Sequence, residues 1–218
     1  FRNALIKNNL LESIFKEVKN SMIEKNLILN EGTLVDATLI HSSEPKRKKD
    51  ENGKTISNKA NDEDASYTSK RGRKHHGYKI HIATDTNSII KEIITTTAKT
   101  HDSTQFDELI KDETKAVFAD SGYMSQNRKR ELRAKGIFNG ITERRVRGQS
   151  KLRVKQSKNN TKFSKVRALV ELPFAFIKKL MKYTETKYLG LHKNSQHVFL
   201  IAAAYNLRRM PKLIQRYE

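Results

Sequence analysis

Apolar residues change their spacing several times along the chain, and each change marks an element. Within residues 1–28, Leu5, Leu10, Leu11, Ile14, Phe15, Val18, Met22 and Ile23 recur at steps of three and four, which predicts one amphipathic helix in need of a packing partner. Beyond Asn30-Glu31-Gly32, the β-branched and apolar run Thr33 to His41 predicts a strand. Residues 76–85 alternate in strand fashion, Thr86-Asn87-Ser88 turns, and 89–98 runs back as the second arm of a hairpin. A short helix is expected over 104–111, with Asp102 and Gln105 as a capping box. Ala116-Val117-Phe118-Ala119 has the length of a buried strand and ends abruptly at Asp120 and a Ser121-Gly122 turn.

The second half reads as mostly helical. A basic helix over 126–135 is stopped by Gly136, and a strand is expected over 137–141. A long helix follows over 163–182, where Pro173 predicts a kink or break just beyond Glu171. A last apolar helix spans 197–209 and is limited by Pro211. Strand, hairpin, helix, strand and then helices describe an α/β fold built on a mixed sheet.

Three acids stand out against this pattern. Asp120 follows a buried strand, at the carboxyl end where open α/β sheets hold ligands. Asp36 interrupts an otherwise apolar strand, and an isolated buried carboxylate is costly unless a cation or hydrogen bonds compensate it. Glu171 shares a polar stripe with Arg167 and Lys178, all within roughly 40° of one another at about 100° per helical residue. Gathered at one sheet edge, three carboxylates make a divalent-metal site. Blander readings stand beside each: Asp120 as a turn starter, Asp36 on an exposed face, and Arg167 with Glu171 as a surface pair. His101-Asp102 is the chief competitor for a place in the site.

Composition narrows the partner. With 218 residues and 36% hydrophobic content, the chain buries one main core. The excess of 44 Lys+Arg over 24 Asp+Glu leaves +20, which attracts polyanions, nucleic acid before membrane. Fifteen of the basic residues and only two acids fall between Arg128 and Arg167, including Arg144, Arg145 and Arg147. Between Glu44 and Lys74 there are ten basic and six acidic residues with hardly any apolar anchor, a mobile basic arm or a solvated loop. No apolar run is long enough to span a bilayer and no secretory signal is visible, so a cytoplasmic location is expected. Without cysteine, any metal must bind through oxygen or imidazole.

Taken in order, Val35-Asp36-Ala37-Thr38, His76-Gly77-Tyr78-Lys79, Thr100-His101-Asp102, Phe118-Ala119-Asp120-Ser121-Gly122-Tyr123, Val170-Glu171-Leu172-Pro173-Phe174, Lys187 to Asn194 and Asn206-Leu207-Arg208 resemble the DDE-type transposases of bacterial insertion sequences, specifically the large group numbered five. The resemblance implies a ribonuclease H-like domain over 32–210, carrying a basic loop at 42–75 and a basic region at 128–167. A helical segment at 1–31 would precede it and a tail at 211–218 would follow. Because the chain starts in mid-pattern at Phe1, an N-terminal portion is expected to be missing, which could leave the chain inactive.

The resemblance also carries roles. It implies that Asp36, Asp120 and Glu171 are the catalytic acids and the ligands of two Mg2+ or Mn2+ ions. Arg167 and Lys178 fall in register with the family's DNA-contacting positions on the last helix, while Ser164 stands where the family has tyrosine. Double-stranded DNA, both transposon ends and target, is the implied partner, handled by a homo-oligomer associated with the nucleoid. The implied reaction is cleavage at the ends followed by strand transfer. A nuclease on the same fold that never joins DNA, and a non-catalytic basic DNA-binding remnant, are the rival readings.

Overall fold

Nine residues, Thr33–His41, form β1, and the rest of the molecule is arranged along its two edges. One edge is paired throughout: β5 (Arg73–Thr84) runs antiparallel to it from Leu34 opposite Thr84 to His41 opposite Gly77. The other edge is paired only at its start, where β7 (Ala116–Ala119) lies parallel over Thr33 to Val35. Outward from β5 lie β6 (Ile90–Thr97) and β4 (Ser66–Lys70), both antiparallel to it, and outward from β7 lies β8 (Phe138–Asn139), parallel. The six strands make a mixed sheet; β2 (Arg47–Lys49) and β3 (Thr55–Ser57) form a separate two-stranded ribbon. This computed structural model describes residues 1–217 other than 46, 50–51, 53–54, 58–60, 71, 114 and 146–147.

Helices cover both faces of the sheet. On one, α2 (Leu10–Glu24) and α7 (Leu191–Tyr217) bring Phe15, Val198 and Ile201 onto Leu34, Ile80 and Ile82. On the other, α3 (Phe106–Leu109) and α4 (Gln126–Ala134) pack Phe106, Leu109 and Leu132 on Val35, Ala83 and Val117. A mixed sheet between two helical layers is the α/β arrangement that the pattern implied, consistent with the ribonuclease H-like architecture that the resemblance implied. Among the described residues, no helix is long and apolar enough to cross a membrane.

Several elements depart from expectation, each for an identifiable reason. The single helix over 1–28 is two, α1 (Arg2–Lys7) and α2, because Asn9 adopts a left-handed conformation with φ 54°, one that asparagine tolerates. The helix expected over 104–111 is a 3-10 turn, Asp102–Gln105, followed by the single turn of α3. Its cap is His101, whose Nδ1 accepts from the Ser103 amide, and not Asp102. The strand over 137–141 shortens to β8 because Asn139 Oδ1 takes the Ile141 amide at 3.0 Å. Pro211 does not end the last helix: α7 continues to Tyr217, its far end held by Leu213 against Met22, Leu27 and Ile89.

The helix expected over 163–182 begins earlier, as α5 (Val154–Arg167), tightens to a 3-10 turn at Ala168–Val170, and resumes as α6 (Glu171–Ala175) before a π turn at Phe176–Leu180. Irregular turns therefore flank Glu171 on both sides, the 3-10 turn just before it and the π turn five residues beyond it. Pro173 has no amide to offer the Leu169 carbonyl one turn back. That carbonyl accepts a backbone amide at the end of the 3-10 turn and also Ser88 Oγ at 3.0 Å.

Within the polar stretch 42–74, the part from 61 to 70 is anchored, which corrects the expectation of a mobile arm there. Asp62 is buried and accepts Tyr78 Oη at 2.6 Å and the Gly190 amide at 3.1 Å, and Asp64 accepts the Leu191 amide at the start of α7 at 2.7 Å. Much of 46–60 lies outside the described residues. The β4–β5 hairpin extends the same sheet, and at Gly77 in β5 φ is +147° and an added Cβ would lie 2.1 Å from the Ile40 carbonyl oxygen.

Candidate active site where two strands part

β7 stops at Ala119, opposite Val35, and from that level onward β1 and β7 diverge. The next residue on each strand is an aspartate: Asp36 on β1 and Asp120 after β7. The two acids thus stand side by side because the strands are parallel and in register there. The open edge of β1 is not closed until His41, which bonds to Thr184 and Thr186. Divergence of parallel strands leaves a crevice at their carboxyl ends, where α/β sheets place ligands.

Each aspartate is held by its own backbone. Asp36 Oδ1 accepts the Ala37 amide at 2.8 Å. Asp120 Oδ1 accepts the Ser121 amide at 2.5 Å and Ser121 Oγ at 3.2 Å, so it does start the turn before Gly122. Starting a turn does not remove it from the crevice: Arg167 Nη1 lies 3.7 Å from Asp120 Oδ1 and 3.9 Å from Asp36 Oδ2. Arg167 closes α5, and Glu171 opens α6 one helical turn later, across the 3-10 segment.

Electrostatics places the third acid near the other two. The Asp36 carboxyl is pushed up to about 6, first by burial; its own Ala37 amide and Arg167 pull it down, and the charges of Glu171 and Asp120 push it further up. The buried Tyr123 hydroxyl is likewise raised, by burial first and then by Asp102, Asp36 and Asp120. Lys178 is held below the usual lysine range by burial and by the neighbouring Lys70, against the pull of Glu171. The crevice is therefore a place where negative charge is crowded and one guanidinium answers two carboxylates.

Of the residues expected to act together, Asp36, Asp120 and Arg167 meet directly, while Glu171 bears on Asp36 and on Lys178 through its charge. Among the described residues, however, no group of three or more acids and histidines forms a ready-made metal shell. Arg167 lies 3.9 Å from Asp36 and 3.7 Å from Asp120 and answers the charge of both. Carboxylate oxygens are the donors that a hard, oxygen-seeking divalent ion prefers, and a cation beside Asp36 would offset the burial that raises it.

The basic residues divide. Arg144 belongs to the rim: its Nε donates to Ser121 Oγ at 2.8 Å, one residue from Asp120. Arg145 is exposed and donates to the Ser150 carbonyl at 2.9 Å. Arg147 lies outside the described residues. Asp102, the competitor, is engaged elsewhere, with Lys79 Nζ 2.8 Å away. That pairing joins two of the quoted motifs, His76 to Lys79 and Thr100 to Asp102, and was not foreseen. Tyr123 was also missed, although it stands three residues after Asp120 in the same motif.

A family model described as a transposase DDE domain matches residues 29–207. No solved structure matches the chain at a significant level.

Proposed function

The chain belongs to the transposase DDE-domain family, and on that premise we propose that it cuts DNA at the ends of an insertion sequence and transfers the freed strand to target DNA. Transposase domains of this family generally use divalent metals. Asp36, Asp120 and Glu171 would hold Mg2+ or Mn2+, two ions in the complete site. The chemistry such ions supply when bound is activation of an attacking oxygen and stabilisation of the leaving one at phosphorus.

The chain's own residues prepare the rest. Asp36 and Asp120 are fixed by backbone amides, so their outward oxygens need no reorganisation to meet a cation. Arg167 neutralises the two carboxylates in the absence of ligand and is in reach of a phosphate that enters beside them. Lys178 carries a second positive charge next to Glu171, and Arg144 extends the cationic rim past Ser121. Phosphates held by these groups position the DNA without reading its sequence. The observation that carries the proposal is the shared hold of Arg167 on two aspartates that leave adjacent parallel strands at the same level.

The test is an assay with transposon-end duplex, target duplex and Mg2+. The parent chain is expected to give cleaved and joined products, and Asp36→Asn, Asp120→Asn and Glu171→Gln each to lose at least about a hundredfold in rate while still binding DNA. Cleavage by all three variants at the parent's rate would overturn the assignment. Hydrolysis without any joined product would limit the chain to a nuclease.

A further inference from the structure

Beyond Asp36 lies a cavity of about 160 Å³ lined by residues of β1, β4 and β5 together with Asp102. Ala37 and Thr38 supply the β1 side, Thr68, Ser69 and Lys70 the hairpin side, and Lys79 with its partner Asp102 the floor. We propose that this cavity takes a phosphate group of the DNA backbone next to the cleavage site, with Lys70 as its cation. The inference rests on the reading of the chain as a DNA-cutting enzyme and adds a contact residue that the motifs did not mark.

Charge and hydrogen-bonding capacity select the ligand. Lys79 is already used: its Nζ lies 2.8 Å from Asp102 Oδ1 and donates to the Thr100 carbonyl at 2.7 Å. Lys70 forms no ion pair among the described residues, and the hydroxyls of Thr38, Thr68 and Ser69 make no hydrogen bond among them either. One unanswered ammonium and three donor hydroxyls around a small hollow match a phosphate oxygen cluster better than an apolar or cationic guest.

Position selects the source. The hollow begins one residue after Asp36, and Lys70 is close enough to Lys178 for the two cations to repel. Those lysines come from elements more than a hundred residues apart in the chain and repel each other at a Coulombic cost. An anion bound at Lys70 lowers that cost. A continuous strand of DNA supplies such an anion at the level of Lys70 while another of its phosphates sits at the acids. A free phosphate would fill the hollow without reaching the acids.

Binding of a short duplex, followed by fluorescence anisotropy in chelator across a range of salt, tests this without any chemistry. Lys70→Gln is expected to lower the slope of log affinity against log salt by about 0.9 and to weaken binding on the order of fivefold near 0.1 M salt. Lys212→Gln, on the exposed far end of α7, should leave both unchanged. A Lys70→Gln slope equal to the parent's, with an unchanged unfolding midpoint, would overturn the proposal. A lost inorganic-phosphate site with an unchanged DNA slope would do the same, since it marks a free-anion site. Because the measurement is made without metal, it stands or falls separately from the three acids, whose failure would appear only in cleavage.

Discussion

Arg167 Nη1 stands 3.9 Å from Asp36 Oδ2, close enough for charge attraction but too far for a formed hydrogen bond. A loose pair of this kind compensates a buried carboxylate only in part, which is why burial still dominates Asp36 and holds it near 6. A divalent ion would compensate it fully and would compete with the guanidinium for the same oxygens.

Titration of metal-free protein should therefore show the Asp36 carboxyl changing protonation near pH 6 by carbon-detected magnetic resonance, and added Mg2+ should move that transition downward by at least about one unit, because a cation favours the ionised form. The sign for stability follows. With the folded value raised above the ordinary 3.8, the contribution of Asp36 to stability is fully present below pH 3.8 and is lost as pH rises through about 6. A transition at the ordinary aspartate position, unmoved by Mg2+, would contradict this.

Two buried aspartates share that elevation for different ends. Asp85 is also pushed up to about 6, chiefly by burial, but it accepts the Leu29 and Ile89 amides at 2.7 Å each and so ties the β5–β6 turn to the start of the sheet. In chelator at pH 7, Asp36→Asn is expected to stabilise the fold by about 1–3 kcal/mol, since it removes a charge held at a cost. Asp85→Ala should destabilise it by about 2–4 kcal/mol, since two amides lose their acceptor. Denaturant unfolding measures both, and equal signs for the two would refute the distinction.

Asn206 clamps α7 onto β6 by accepting the Ile90 amide at 3.0 Å and donating to the Ile90 carbonyl at 2.9 Å, wholly buried. Asn206→Leu should lower stability by about 2–4 kcal/mol in the same unfolding experiment, because an edge amide and carbonyl are left without partners. An unchanged midpoint would mean that the clamp contributes nothing net.

Ser88 and Pro173 should be thermodynamically coupled through the Leu169 carbonyl. Ser88→Ala alone is expected to cost about 1 kcal/mol, because that carbonyl then keeps only the backbone amide at the end of the 3-10 turn and loses its hydroxyl donor. In the Pro173→Ala background, where the amide returns, the cost should shrink by about 1 kcal/mol. Strict additivity in the double-mutant cycle would remove this account of the 3-10 segment.

Much of the sheet was legible because its strands are β-branched or continuously apolar runs that end at punctuating residues: Thr33–His41 is β1 as expected, and Ala116–Ala119 is β7. Helix boundaries were less legible, since tertiary packing decided them. Leu213 carries α7 past Pro211, and Asn9 breaks a stripe whose periodicity is uninterrupted. At the candidate site, Asp36, Asp120 and Glu171 could be picked out one by one, but the side-by-side placing of Asp36 and Asp120 depends on the parallel register of β1 and β7, which no local pattern encodes. The pairing of Lys79 with Asp102 was hidden for the same reason, being a contact between residues distant in sequence.

Titrating Mn2+ into the parent chain and into Asp36→Asn, Asp120→Asn and Glu171→Gln, with bound ion followed by paramagnetic resonance, asks most directly whether the three acids form one site. Each substitution is expected to weaken the tightest binding by at least about tenfold. Affinities indistinguishable from the parent's in all three variants would contradict a shared metal site at the parting of β1 and β7.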